Sequence, residues 1–331
     1  MSVEPRGETA YRIEGLTFSY GGPIVLSLPE LTIRRGLITV VTGPNASGKT
    51  TLLKLFDGLL LPTGGTIARF AAAGSRRGSV FVHSSPPMMS GSALRNVCYG
   101  LRARSIASAD VRSRARAALE AMGLSGVEHR RASALSSGQR KRLALARAMA
   151  PDPEVLLLDE PDANVDADSL RTIERVLLEL ALGGTTIVAS THDAGFGYRI
   201  ADELVVLESG RLQPSGLNVL RGGVAERYEG YCLFESRGVR ISCPAREGEA
   251  RVAVVPLHDV FLSLTPVETS ARNRMQGTVE SVAAEGGLHR VTVDCGIRLS
   301  AYVTAASLRE LGIAPGSRLW VSFKASAVSL Y

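Results

Sequence analysis

Gly43-Pro-Asn-Ala-Ser-Gly-Lys-Thr50 lies between an apolar run, residues 37–42, and a helix-like stretch, residues 51–61. Glycines that end a strand and open a helix leave backbone N–H groups unpaired and convergent. The helix dipole adds positive charge there, so such a loop suits an anion. The spacing G-x-x-x-x-G-K-[ST] narrows the anion to the phosphates of a nucleotide, ATP first among them. Lys49 is expected to reach the β- and γ-phosphates and Thr50 to hold magnesium, with Gly43, Asn45, Gly48 and Thr51 completing the contacts. A strand running into a phosphate loop and a helix predicts an α/β P-loop fold.

About a hundred residues on, Glu154-Val-Leu-Leu-Leu-Asp-Glu-Pro161 sets a short apolar run before two carboxylates. A buried parallel strand delivering acids to its C-terminal edge has this pattern. Adjacent acids on a strand point to opposite sides, so two roles are natural. Asp159 is expected to bind magnesium and Glu160 to polarise the water that attacks the γ-phosphate.

Between these motifs stands Leu135-Ser-Ser-Gly-Gln-Arg-Lys-Arg142, which resembles the LSGGQ signature of ABC-type ATPases. In that family the signature of one subunit caps the γ-phosphate held by the other, so the resemblance implies a homodimer with two ATP molecules in its seam. Ser137 stands where the family usually has its first glycine, leaving Ser136, Gly138 and Gln139 as the implied contacts across the seam. By the same resemblance Tyr20, in Phe18-Ser-Tyr-Gly-Gly22, stacks on adenine, and Asp162-Ala-Asn-Val-Asp166 crosses the seam. Ser190-Thr-His-Asp193 supplies His192 to touch the γ-phosphate and hold the attacking water. The resemblance runs from residue 11 to about 215, implying an ABC ATPase domain over 1–215 with a helical subdomain at about 84–150.

One position departs from the family. A glutamine is usual after the strand that precedes the helical subdomain, whereas Ser79-Val-Phe-Val-His83 stands here, and no glutamine occurs between Lys49 and Gln139. Imidazole has one free acceptor, and only when neutral. Either His83 takes over the catalytic glutamine's place, making ATPase activity fall as it protonates, or water makes the contact and His83 fills space.

The chain has 331 residues, a net charge of +6 and no apolar run near the roughly 20 residues that cross a bilayer. Glu4, Arg6 and Glu8 leave no apolar signal core at the start. Cys98, Cys232, Cys243 and Cys295 show no C-x-x-C spacing, as expected of reduced thiols. These features predict a cytoplasmic protein. Arginines crowd residues 102–116, interleaved with apolar Leu101, Ile106, Val111, Ala115, Ala118, Leu119 and Met122 at helical spacing. That pattern predicts an amphipathic subdomain with a solvated face, and the scarcity of aromatics beside the arginines argues against nucleic acid.

After Arg211 the alternation of strands and helices gives way to short β runs separated by Gly and Pro. Residues 216–265 read as a connector with short strands, and 266–331 as a small all-β barrel of the oligonucleotide/oligosaccharide-binding type with one helix capped by Thr304 and stopped by Gly312. The tail resembles the Mop/TOBE oxyanion-binding module through Ser270-Ala-Arg-Asn273, Gly277-Thr-Val279, Thr304-Ala-Ala-Ser307 and Phe323-Lys-Ala325. The resemblance implies an oxyanion held between paired domains, here by Ser270, Arg272, Thr304, Ser307 and Lys324. Only four of the 38 basic residues are lysine, namely Lys49, Lys54, Lys141 and Lys324, and two of them fall at expected anion sites.

Together the two resemblances imply the ATPase subunit of a tungstate or molybdate importer. It would sit on the cytoplasmic face of the membrane, paired with integral-membrane permease subunits and fed by an extracytoplasmic oxyanion-binding protein. Oxyanion at the barrels would inhibit by feedback. The sequence is also compatible with a purely structural barrel on an importer of another anion such as sulfate, and with a soluble oxyanion sensor.

Overall fold

The computed structural model describes residues 8–70, 78–246 and 248–331, so Glu4 and Arg6 lie outside the described residues. The chain divides into two compact units, Met1–Gln213 and Pro214–Tyr331.

The first unit opens with β1 (Thr9–Ser19) and β2 (Ile24–Arg34), an antiparallel pair that β4 (Gly64–Arg69) joins on the other edge of β1. β3 (Ile38–Thr42) leaves this layer for the central sheet and runs into α1 (Lys49–Asp57). The sheet also takes β5 (Ser79–Val82), β6 (Val155–Asp159), β7 (Thr186–Thr191), β8 (Glu203–Glu208) and β9 (Arg211–Gln213), in the order β5-β6-β7-β3-β8-β9. All its pairings are parallel except β8 with β9. The continuous apolar runs of β3 and β6 follow from burial on both faces, which a parallel sheet covered by helices requires. Register then places the chemistry: Thr42 pairs with Thr191, and Asp159 with Ser190, so the ends of β3, β6 and β7 form one edge.

Between β5 and β6 the chain forms α2 (Ala93–Ala103), α3 (Ser108–Ala121) and α4 (Ser137–Met149), which pack on one another. Val111, Ala115, Ala118 and Leu119 are buried on α3 while its arginines face solvent, as the helical spacing predicts. α5 (Ala167–Leu182), capped by Asp166, and α6 (Ala194–Ile200), capped by Asp193, complete the unit. No helix among the described residues is long and apolar enough to cross a membrane.

The second unit is antiparallel throughout. β10 (Leu217–Arg221), β14 (Val252–Pro256) and β20 (Ser329–Leu330) form one sheet, and β11 (Gly223–Tyr228), β12 (Tyr231–Ser236) and β13 (Val239–Pro244) a meander. The largest sheet is β15-β19-β16-β17-β18, built from β15 (Phe261–Ser263), β16 (Asn273–Glu285), β17 (Leu288–Asp294), β18 (Arg298–Val303) and β19 (Arg318–Phe323). Its edge strands β15 and β18 come back into contact, giving a curled, barrel-like sheet. The short helix α7 (Ala305–Glu310) is capped by Thr304, whose hydroxyl accepts the Ser307 N–H at 3.1 Å.

Residues 216–265 differ from the connector expected of them. Leu220, Cys232, Phe234, Ile241 and Val255 share one buried core with Val279, Val293, Leu319 and Phe323. Two asparagines bind the halves together by their backbones. Asn218 donates to Ser300 O and accepts its N–H, and Asn273 does the same with Ser242, all at 2.7–2.9 Å. Burial to 6% and 3% exposure makes these reciprocal bonds obligatory, because an unpaired amide there would lose its hydration for nothing. Cys232 and Cys243 face each other in register on β12 and β13 as free thiols, and burial pushes Cys243 up to about 12.

Candidate functional site

The loop that leaves β3 closes on itself through Lys49, whose ammonium donates to Gly43 O and Pro44 O, both at 2.8 Å. Burial pulls the Lys49 pKa down, while Glu160 and Asp159 pull it back up. Gly43 is required by close approach to backbone, and Gly48 by its left-handed φ. A Cβ on Gly43, at φ 148°, would lie 1.9 Å from Leu207 O, and one on Gly48, at φ 101°, 2.6 Å from Leu26 Cδ2. Asn45 is exposed in the loop. Tyr20 is 62% exposed, with its ring edge-on to Phe18 and its hydroxyl 3.2 Å from that of Thr51, so a ring face stands free beside the start of α1.

Thr50 Oγ1 and Ser190 Oγ each donate to Asp159 Oδ1 at 2.8 Å. A hydroxyl and a carboxylate set together at the phosphate loop are hard oxygen donors of the kind magnesium takes, the remaining positions being filled by phosphate oxygens and water. No cluster of three or more His, Cys, Asp or Glu side chains exists among the described residues to form an all-protein metal cage. The donor set therefore fits a metal that arrives with a nucleotide.

Glu160 has a left-handed backbone, φ 46°, a conformation that costs a residue with a Cβ about 1–2 kcal/mol. It is held there because its N–H donates to Ser190 O and to Ser190 Oγ, both at 3.1 Å. The turn carries its Oε1 to within 3.3 Å of His192 Nδ1. With the proton on Nδ1 that contact is a hydrogen bond, and Nε2 is left as the free nitrogen. His192 is flanked in turn: Thr191 Oγ1 donates to Asp162 Oδ2 at 2.7 Å and accepts the Asp193 N–H at 2.9 Å. Burial pushes the Asp162 pKa up.

The structure thus brings together Lys49, Thr50, Asp159, Glu160 and His192, with Tyr20 and Thr51 alongside. It sets Ser136, Gly138 and Gln139 apart. Ser136 caps α4 in a reciprocal box, its hydroxyl accepting the Gln139 N–H at 3.2 Å while Gln139 Oε1 accepts the Ser136 N–H at 3.1 Å. A Cβ on Gly138 would meet Asp166 Oδ2 and Ser169 Oγ at 2.6 Å, so this turn packs on the start of α5. Among the described residues no hydrogen bond joins these three to the phosphate loop, Glu160 or His192. His83 also stands outside the cluster. It is exposed, its ring 5.4 Å from that of Phe81, and it lines a groove of about 400 Å³ with Met89, Tyr99, Arg104 and Arg147.

In the second unit the five expected oxyanion residues fall in two places. Arg272 and Lys324 adjoin Asn273 and Phe323, which pair at the start of β16. Thr304 and Ser307, with hydroxyls 3.0 Å apart, follow Val303, which pairs through His289 with Ala284 near the other end of β16. Eleven residues of strand, roughly 35 Å measured along the chain, separate the two groups along β16. Ser270 is exposed, and the Arg272 guanidinium lies 4.8 Å over the Tyr231 ring, which stacks on Tyr228. One copy of the barrel does not gather all five into a single shell.

Residues 26–163 match the ABC transporter family, and residues 269–330 match the TOBE domain. The molybdate/tungstate import ATP-binding protein of Pyrococcus abyssi is 32% identical over 328 residues, spanning 88% of this chain and 92% of the relative. The chain is an ABC transporter ATP-binding subunit. A sulfate/thiosulfate import ATP-binding protein of Mycolicibacterium paratuberculosis is 31% identical over 312 residues, spanning 91% of this chain and 82% of its own. Among solved structures, cbiO1 from Clostridium perfringens, part of the ABC transporter complex cbiONQ, aligns at 30% identity and TM-score 0.55, covering 62% of this chain and 88% of that one. Ser190 is a supporting residue that the motifs do not single out; the one sequence signal for it is a hydroxyl ending an apolar run, and its complete burial in the structure makes a hydrogen-bonding duty necessary. Asn218 carried no local signal, because its partner lies 82 residues away.

Proposed function

We propose that this ATPase subunit works as a head-to-tail homodimer that drives tungstate or molybdate through separate integral-membrane permease subunits, on the cytoplasmic face of the membrane. The observation that carries the catalytic half is the cluster at one sheet edge. Thr50 and Asp159 would hold magnesium, Lys49 and the loop N–H groups the phosphates, Tyr20 the adenine ring, and Glu160 would take the proton of the attacking water while His192 orients it. The separation of Ser136, Gly138 and Gln139 from that cluster supports a site completed by a second copy, whose signature turn would close on the γ-phosphate. An extracytoplasmic oxyanion-binding protein would deliver the cargo.

The oxyanion reading rests on the named Pyrococcus relative together with the donors of the barrel. Arg272 and Lys324 supply charge, Ser270, Thr304 and Ser307 supply hydroxyls, and pairing of two barrels would bring the groups at opposite ends of β16 into one shell. Oxyanion bound there would inhibit the ATPase if its affinity were higher in the open dimer than in the closed one. Calorimetric titration of the purified chain with tungstate, molybdate and sulfate tests this. Tungstate or molybdate is expected to bind at least tenfold more tightly than sulfate, about 1.4 kcal/mol, and Arg272→Ala with Lys324→Ala to abolish binding. No binding by a dimeric sample would reduce the barrel to a structural part, and tighter binding of sulfate would favour the sulfate reading that the Mycolicibacterium relative suggests.

The groove beside His83, between β5 and α2, is the place we assign to a cytoplasmic segment of the permease. In the assembled transporter His83→Gln is expected to change ATPase turnover by at least about threefold while ATP affinity stays within about twofold. Unchanged turnover would leave His83 with no more than a packing role.

A further inference from the structure

Lys141, on α4, is 5% exposed, and its ammonium donates to Ser84 O and to Glu160 O, both at 2.7 Å. The two carbonyls belong to segments that leave neighbouring strands: Ser84 lies two residues past the end of β5 and Glu160 one past the end of β6, and those strands pair directly. A single buried ammonium therefore joins the C-terminal edge of the sheet at two points from the helix that carries the signature turn. Nothing in the hydrolytic chemistry described above uses it.

The choice of residue is informative. Arg140 and Arg142 flank Lys141 in a chain that uses lysine only four times. Arg142, half-buried, reaches the Met122 and Gly123 carbonyls as a long planar fork can. Two carbonyls converging on one buried point call instead for a compact cation with three rotatable donors. Beside this point lies a cavity of about 260 Å³ lined by Ser84, Ser85, Ser137, Arg140, Lys141 and Asn164, so the two segments have room to separate when the tie is cut.

We infer that Lys141 is a positioning residue for hydrolysis, fixing the Glu160 backbone through its carbonyl and tying the 83–86 segment to it. Glu160 is then pinned on both sides of its left-handed backbone, by Ser190 at its N–H and by Lys141 at its carbonyl. The direction of the carboxylate toward His192 follows from that backbone. A displacement of the segment containing His83 and Ser84 reaches Glu160 through the same side chain.

The inference rests on Glu160 being the residue that activates water, and Glu160→Gln tests that reading separately: full turnover in that variant would remove the reading whatever Lys141 does. With the full chain, kcat, KM for ATP, equilibrium ATP affinity and thermal midpoint are measured for Lys141→Met and Lys141→Gln. Lys141→Met is expected to lower kcat at least about tenfold with KM and ATP affinity within about twofold, since misplacing a reacting group by about 1 Å can cost on the order of a hundredfold. Lys141→Gln, which keeps a donor, should recover to within about threefold of the unmodified protein. An unchanged kcat in Lys141→Met, a fall in kcat and thermal midpoint with weakened ATP binding in both variants, or no recovery with glutamine would each overturn the inference.

Discussion

Replacing Glu160 by glutamine is expected to lower kcat for ATP by about two to three orders of magnitude, roughly 3–4 kcal/mol of barrier. ATP affinity should stay within about twofold. The substitution preserves volume and keeps an oxygen that can accept from His192 Nδ1, now 3.3 Å from Glu160 Oε1. It leaves untouched the two bonds from the Glu160 N–H to Ser190, so the left-handed turn survives. What it removes is the basic carboxylate proposed to take a proton as water attacks. Asp159, buried and already accepting two hydroxyl protons, has its oxygen directed at Thr50 and Ser190 and is poorly placed to stand in. Steady-state turnover and equilibrium nucleotide binding on the same preparation check this. Turnover within about threefold of the unmodified protein, at unchanged affinity, would mean that another group activates the water.

The clustering of residues at one sheet edge was legible because they are coded in contiguous pieces. Gly43 to Thr50, Asp159 with Glu160, and His192 each sit at the end of an apolar strand, and parallel pairing brings strand ends to one edge whatever the chain does between them. The amphipathic spacing from Leu101 to Met122 likewise specified its own buried face. The supports of the site were harder to read. Ser190 serves both Asp159 and Glu160 only because β6 and β7 pair in one register, and Lys141 meets Ser84 and Glu160 across 57 and 19 residues. Neither relation leaves a mark on a local window.

The second unit shows the limit more clearly. Its strands bury alternate residues, as in Tyr231–Ser236, where Cys232, Phe234 and Ser236 point inward. Runs of five or six residues broken by glycine and proline give such alternation little weight, so 216–265 reads as a connector. Only tertiary pairing, sealed by Asn218 on Ser300 and Asn273 on Ser242, shows that both halves close one core. The expected oxyanion residues are subject to the same rule. Neighbours in sequence such as Thr304 and Ser307 come together, whereas Arg272 and Thr304 end at opposite ends of a long strand because antiparallel register decides where they go.

Gly43→Ala is expected to destabilise the first unit by at least about 3 kcal/mol and to abolish ATP binding, the sum of a left-handed backbone penalty and severe overpacking. The added Cβ would stand 1.9 Å from Leu207 O and 3.1 Å from Ser47 Oγ, at φ 148°. The nearest atom is a backbone oxygen of β8, whose neighbour across the pair is β3 itself, so relief requires the two strands to part. Leu207 is wholly buried and also pairs with Leu212 on β9, which opposes any retreat on its side. Lys49 loses as well, because its ammonium is steadied by the Gly43 carbonyl that must move. Gly22→Ala serves as the matched control, since its Cβ would meet nothing within 4 Å, and it should stay within about 0.5 kcal/mol. Helices α1 to α6 all belong to the first unit, so denaturant unfolding followed by helical circular dichroism reports it, while the single tryptophan, Trp320 on β19, reports the second. A helical transition for Gly43→Ala that coincides with that of Gly22→Ala would show that β8 can yield at Leu207 at little cost, and that the loop tolerates a side chain where the geometry forbids one.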